Sequence, residues 1–219
     1  MRPTFRNFAL DMEETKQPTA YRKSLHERII DTAIKAFTAQ GIKAVKMDDI
    51  AQTMGISKRT LYEIFENKEV LLLEVIRKSM AVKEREALEV VAGSSNVMDV
   101  ILYFYKKKVE EFRVVNPVFY SDMARYPQVL ELIDRDKQRN IQRQFDFIRR
   151  GVDEGYFRSD VDYRLALMMF DAMASYVLSR QLLEHYSIEE IFHNMFLVSL
   201  RGICTKRGQE VLEHFVSEL

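Results

Sequence analysis

The stretch from Met47 to Lys68, MDDIAQTMGISKRTLYEIFENK, leaves this chain few folds to choose from. It divides at Gly55 into two short helical patterns. In the first, Ile50, Ala51 and Met54 fall at i, i+1 and i+4 and make one apolar stripe. Gly55 takes positive φ at no steric cost, as a helix end commonly requires. Ile56 turns an apolar side chain into the corner, and Ser57 stands where the N-cap of a second helix belongs. From 58 to 65, Leu61 and Phe65 repeat the apolar spacing, while Lys58, Arg59, Thr60 and Tyr62 take the other face. A turn this short forces the two helices to cross steeply, as in a helix-turn-helix, whose second helix enters the DNA major groove.

The competing reading is a helix pair inside a bundle, with a solvated polar face. Apolar spacing alone permits it, but the content of the polar face argues against it. Lys58 and Arg59 stand at the positive end of their own helix, where the dipole disfavours cations. Stability would place Asp or Glu there. Cations, a hydroxyl and a phenol suit a docking polyanion instead.

Composition sets the limits. A length of 219 residues with 47% hydrophobic content supports a real core, and seven Gly with four Pro suit an all-α chain. Net charge is zero, so this is no uniformly basic nucleic-acid binder, and any positive surface must be local. Between residues 42 and 68, Lys43, Lys46, Lys58, Arg59 and Lys68 face Asp48, Asp49, Glu63 and Glu66, which predicts modest affinity for arbitrary DNA. Cys204 is the single cysteine, which excludes an internal disulfide and a thiolate-rich metal cluster within one chain. No apolar run approaches the roughly 20 residues of a membrane span, and there is no secretory signal, so the expected location is cytoplasmic.

From about Leu25 to Leu71 the chain resembles the DNA-binding domain of TetR-type transcriptional regulators. The matching residues are Ala33, Phe37 and Gly41, then Ile50 and Ala51, then Gly55-Ile56-Ser57. Thr60, Tyr62, Phe65, Asn67, Lys68 and the leucines that follow complete the match. The resemblance implies a double-stranded DNA operator as partner, a homodimer and a small-molecule effector. It places the DNA contacts on Lys46, Ser57, Lys58, Arg59, Thr60, Tyr62 and Lys68, with Tyr62 and Lys68 on phosphates. The alternative for Tyr62 is a half-buried ring with its hydroxyl exposed. The chain departs from the family at three points. Lys46 replaces the usual capping Thr, and since Lys cannot accept a hydrogen bond, the cap is weaker or is supplied by Asp48 or Asp49. Arg59 replaces a small residue, and Ile64 an aromatic or His. Arg59 either reads guanine by a bidentate contact or binds phosphate.

The expected organisation is an N-terminal three-helix domain carrying the helix-turn-helix, followed by a helical-bundle regulatory and dimerisation domain. Residues 1–23 read as a mobile arm or a disordered leader, with Met12 a possible translation start. Residues 24–70 form the first domain, opened by a Ser24–Glu27 capping box, and its last helix continues to about 92. Residues 93–219 form the second, with helices over 97–115, 128–154, 162–186, 187–204 and 206–219. The helix over 162–186 is apolar around much of its circumference, and 187–204 opens with a Ser187–Glu190 capping box. These two suit a four-helix homodimer interface, against the alternative of plain monomer core.

Phe104, Tyr105, Phe119, Tyr120, Met123, Phe145, Met168, Met169 and Met173 suit either a filled core or a cavity for an apolar or amphipathic effector. The four histidines are scattered, with no metal-ligand pair at i, i+3 or i, i+4, and there is no Gly-rich phosphate loop. No cofactor, metal or catalytic residue is expected. The non-enzymatic rival is a helical adaptor that binds protein through the basic face. Salt separates the two, because a DNA binder loses affinity steeply as salt rises.

Overall fold

The computed structural model describes residues 20–217, and every regular element among them is a helix. The first domain is built from α1 (Ala20–Gln40), α2 (Met47–Met54), α3 (Lys58–Ile64) and α4 (Lys68–Gly93). Helix α1 begins four residues ahead of the expected start, so Ser24 is interior to the helix and caps nothing. Residues 20–23 therefore belong to α1 rather than to an arm, and the remainder of the arm, 1–19, lies outside the described residues.

The apolar stripes read from the sequence converge. Ile29, Ala33 and Phe37 of α1 meet Ile50, Leu61, Phe65, Leu71 and Leu72, all almost wholly buried. Removing each large side chain from water is worth about 1.5–3 kcal/mol, which fixes the angle at which α2 and α3 sit on α1. Phe119, Tyr120 and Val129, from beyond residue 93, join this same core. Packing therefore crosses the expected domain boundary.

The second domain comprises α5 (Val97–Val114), α6 (Pro117–Met123), α7 (Pro127–Asp153) and α8 (Tyr163–Ser179). A 3₁₀ turn (Leu182–Glu184) follows. Next comes one continuous helical run made of α9 (Ile188–Ile191), a π-helical segment (Phe192–Leu197) and α10 (Val198–Ile203). Helix α11 (Lys206–Ser217) completes the domain. A second core gathers Val97, Met98, Tyr105, Phe157, Leu197, Leu212 and Phe215. The Ser187–Glu190 capping box forms as expected.

The helix expected over 162–186 stops at Ser179. Gln181 adopts φ 53°, in the left-handed region, and the chain turns. The turn delivers Leu183 to the seam between the two cores, where it packs against both. A straight helix would carry it past that seam. Only Ala166 and Val177 of α8 are buried, while Leu165 is 64% and Met168 66% exposed. A helix this apolar is thus left half uncovered in a single chain.

Candidate nucleic-acid interface

Gly55 ends α2 at φ 65°, with its own N–H and that of Ile56 donating to the Gln52 and Ala51 carbonyls. Two residues later the Ser57 hydroxyl accepts from the Thr60 N–H at 3.0 Å and caps α3. Its oxygen lies 2.8 Å from the Thr60 hydroxyl, so both hydroxyls are engaged in holding the turn. Lys46 occupies the N-cap of α2. Its ammonium cannot accept, so no side chain at the N-cap takes an N–H of the first turn, while the Asp49 carboxylate accepts from the Lys46 N–H at 2.8 Å, the reciprocal half of a capping box.

On α3, Lys58 and Tyr62 form one outward ridge at i, i+4, and Arg59 and Glu63 form the next. Tyr62 is 47% exposed, and Lys58 and Arg59 are open to solvent. Neither cation stands by itself. Lys58 is paired with Asp48 in the first turn of α2, which draws the start of α3 against the turn that Lys46 precedes. Arg59 donates from Nε to Glu63 Oε1 at 2.8 Å. These hydrogen-bonded pairings raise both cations above their ordinary pKa values. The face is therefore poised but neutralised, and a phosphate must compete with a carboxylate already in place. Arg22 of α1 donates to the Glu63 carbonyl at 3.2 Å and ties the first helix to the end of α3.

Lys68 does not share the outward face with the other expected contacts. It is half-buried, and its ammonium donates to the carbonyls of Ile42 at 2.9 Å and Val45 at 3.0 Å, with Lys43 at 3.4 Å. Three carbonyls match the three protons of an ammonium. Burial pulls its pKa down, partly offset by Asp122 and Asp49. The physical reason for the departure is that the loop between α1 and α2 turns its carbonyls toward the start of α4.

Sequence reading missed the attachment of this unit to the second domain. Asp122 of α6 is 4% exposed, and its carboxylate accepts from the Lys43 N–H at 2.7 Å. The Asn116 N–H donates to the Thr38 carbonyl at 2.8 Å and its side-chain amide to the Ala39 carbonyl at 3.3 Å. These contacts span more than seventy residues of chain, beyond any periodicity. Farther along α4, Lys83 pairs with Glu111 at 2.8 Å, Glu84 with Arg143 and Glu86 with Lys107, joining α4 to α5 and α7. Glu111 also accepts from Lys108 at 3.1 Å and from the Tyr120 hydroxyl at 3.0 Å. Burial opposes its charge, but Lys108 and Lys83 outweigh burial and bring its carboxyl down to about 2.

The nine side chains that suit either a core or an effector cavity do not gather at one cavity. Phe119 belongs to the first core, and Tyr105 packs edge-on against Phe192 and Phe215 in the second. Met169 is 40% exposed on α8, while Met173 meets the Ser199 hydroxyl. Phe104 stacks edge-on with Tyr103, and Met123 packs on the first core. Phe145 alone of the nine lines an open cleft of about 380 Å³, with Ile148, Arg149, Val152 and Tyr163. One apolar helix face reads the same whether it fills a core or borders a cleft, so periodicity alone leaves both open. Among the described residues no cluster of His, Cys, Asp or Glu is placed to hold a metal, and no helix is long and apolar enough to cross a membrane.

Residues 29–75 match the family model described as bacterial regulatory proteins, tetR family. The HTH-type transcriptional repressor KstR2 of Mycobacterium tuberculosis (strain H37Rv) is 27% identical over 143 residues, covering 63% of this chain and 71% of that one. The solved structure of KstR2, the ketosteroid transcriptional regulator of M. tuberculosis, superposes with a TM-score of 0.54 at 21% identity, over 83% of this chain and 96% of that one. The fatty acid degradation regulator FadR of Bacillus halodurans gives 0.60 at 19%, over 81% and 95%. At these identities the two structures speak for the shared fold. The family match coincides with the helices that carry the neutralised cationic ridge, and so residues 29–75 form a DNA-binding domain of the tetR kind and the chain is a DNA-binding transcriptional regulator.

Proposed function

We propose that the protein is a homodimeric cytoplasmic repressor that binds a palindromic operator and releases it when a small molecule occupies the second domain. The reading rests chiefly on the uncovered apolar face of α8, where Leu165 and Met168 stand open beside Tyr176, with Val198 of α10 also exposed. Burying large apolar side chains of this kind against a second copy is the ordinary remedy for such a face. A C2 pair presents two recognition helices about 34–36 Å apart, one turn of DNA, or a multiple of it. Lys46, Ser57, Lys58, Arg59, Thr60 and Tyr62 contact the duplex, and Lys68 supports them from behind.

The effector is apolar or amphipathic. The cleft between α7 and the start of α8 supports this, with Phe145, Ile148, Val152 and Tyr163 as its apolar wall. The names of two relatives, a ketosteroid regulator and a fatty acid degradation regulator, point the same way. Release follows from population shift, since an effector that favours one conformation of the dimer withdraws the spacing the operator requires.

Sedimentation of the wild type and of a Leu165→Glu, Met168→Glu variant tests the assembly. A wild-type dimer and a folded variant monomer that no longer retards palindromic fragments selected from random DNA are expected. A monomeric wild type holding a single half-site at full affinity would refute the dimer. Thermal shift with decanoate and with a keto-steroid, followed by gel shift, tests release.

A further inference from the structure

We propose that Glu63 is a positioning residue for base readout: it holds Arg59 by its Nε so that the two terminal nitrogens present a fork to a guanine. This rests on α3 being the helix that enters the major groove. The geometry starts from the pair itself. Arg59 Nε donates to Glu63 Oε1 at 2.8 Å, and the arginine side chain is 88% exposed. Among the described residues Glu63 is its one hydrogen-bond partner, so Nη1 and Nη2 keep their outward donors. Guanine offers O6 and N7 side by side in the major groove, and a guanidinium matches them with two parallel bonds. A freely rotating arginine would instead settle on the nearest phosphate.

The ordering of the pair argues that it is not there to stabilise the helix. In an isolated helix the favourable order puts the acid toward the N-terminus and the base toward the C-terminus. Here the base is in the first turn of α3 and the acid in the last. An exposed pair at i, i+4 adds little to the stability of a helix in any case. The Glu63 backbone is also secured, because its carbonyl accepts from Arg22 of α1. The carboxylate therefore projects from a fixed point. On the neighbouring ridge Lys58 is held by Asp48, so both cations of the face are aimed by carboxylates. The carboxylate has a second effect. It repels phosphates, so an undiscriminating duplex gains little from Arg59, while a guanine recovers the contact through two neutral acceptors.

The test uses the full chain and a preferred site selected from random DNA. Affinities of the wild type, Arg59→Ala, Glu63→Ala and Glu63→Gln are measured on that site, and on copies in which each guanine in turn is replaced by its 7-deaza analogue, which lacks the N7 acceptor. For the wild type, one such replacement should weaken binding about tenfold, within the range of a bidentate contact. Arg59→Ala should lose that sensitivity. Glu63→Ala should reduce it to about twofold while binding random DNA more tightly than wild type. Glu63→Gln keeps an acceptor for Nε and should restore most of the discrimination, which a merely structural role would not predict. Glu63→Ala with full discrimination overturns the positioning role and leaves Arg59 as a reader. Arg59→Ala with full discrimination overturns both, with DNA binding intact. A wild type that selects no site at all removes the DNA reading underneath.

Discussion

Lys68 and Tyr62 separate cleanly when each is truncated, because one faces inward and the other outward. Lys68→Ala removes an ammonium that donates at 2.9 and 3.0 Å to the Ile42 and Val45 carbonyls. A hydrogen bond to a charged group contributes about 1.5–3 kcal/mol, and two that share one ammonium do not add fully. Burial already costs this amine part of that gain, as its lowered pKa records. The net loss should be about 2–3 kcal/mol, which for a chain of this size lowers the melting temperature by about 6–10 °C. Tyr62→Ala takes away a ring that is 47% exposed. Its stability should stay within about 0.5 kcal/mol of wild type. It should nonetheless weaken DNA binding about three- to tenfold through the loss of one phosphate hydrogen bond. Thermal melts and gel shifts at one fixed salt concentration read both quantities on the same samples. Lys68→Met, which keeps the apolar stem, should melt like Lys68→Ala, and its slope of affinity against salt should match wild type. A Lys68→Ala variant with an unchanged melt and a reduced salt slope would refute the inward assignment and return Lys68 to the phosphates.

Four further outcomes follow from the packing. Gly41→Ala places a Cβ 2.8 Å from Val118 Cγ1 at φ +85°, and should destabilise by about 2–3 kcal/mol in denaturant melts; Val118→Ala in the same chain should recover part of it. Asp122→Ala leaves the Lys43 N–H without its carboxylate and should cost about 2 kcal/mol, whereas Asp122→Asn, which can still accept, should cost less by the same measurement. The Glu111 carboxyl is depressed to about 2 from 4.5, so its contribution is present above pH 4.5 and lost as pH falls toward 2. Solvent screening and the lowered pKa of Lys108 offset part of it, leaving about 1–2 kcal/mol on the acid limb that Glu111→Gln should abolish in pH-dependent melts. Burial pushes the Cys204 thiol up to about 11, so iodoacetamide at pH 8 should leave it unmodified in native protein and label it promptly in guanidinium.

The helix-turn-helix was legible because its signals are local. Gly55, Ser57 and the spacing of Ile50, Leu61 and Phe65 each act within one turn of helix, and each lies where that reading puts it. Lys68 was misread because a lysine after a cap looks the same whether its ammonium faces a phosphate or three carbonyls 23 to 26 residues back. Asn116 and Asp122 carry no local signature at all, since their partners lie on α1 and the loop after it. In the second domain the period identifies helices but cannot say what covers them. The stripe on α8 predicted burial, yet Leu165 and Met168 lie open in one chain. The bend at Gln181 follows from where Leu183 must pack, a requirement set by two cores assembled from distant segments.

The two attachments between the domains differ in kind, and the difference decides which can carry a displacement. The later half of α4 is joined to α5 and α7 by ion pairs whose lysine and arginine side chains are about half exposed. Such contacts stretch, exchange with solvent and weaken with salt. Helix α6 is held differently. Phe119 and Tyr120 are buried in the first core, and Asp122 grips the Lys43 N–H, while Val177 and Leu178 of α8 and Leu183 beyond it lie beside Pro117, Tyr120 and Ser121 of α6. Close-packed contacts do not deform continuously; they shift as units. The loop between α1 and α2 is thus clamped from two directions, by Asp122 at Lys43 and by Lys68 at Ile42 and Val45. It ends at Lys46, the N-cap of α2. From Lys43, where Asp122 of α6 holds the loop, four residues lead to Lys46 and the start of α2, so a displacement of α6 would be passed to α2 through main chain. Asp48, in the first turn of α2, is the partner of Lys58, so the same displacement would shift a cation on the face proposed to meet DNA.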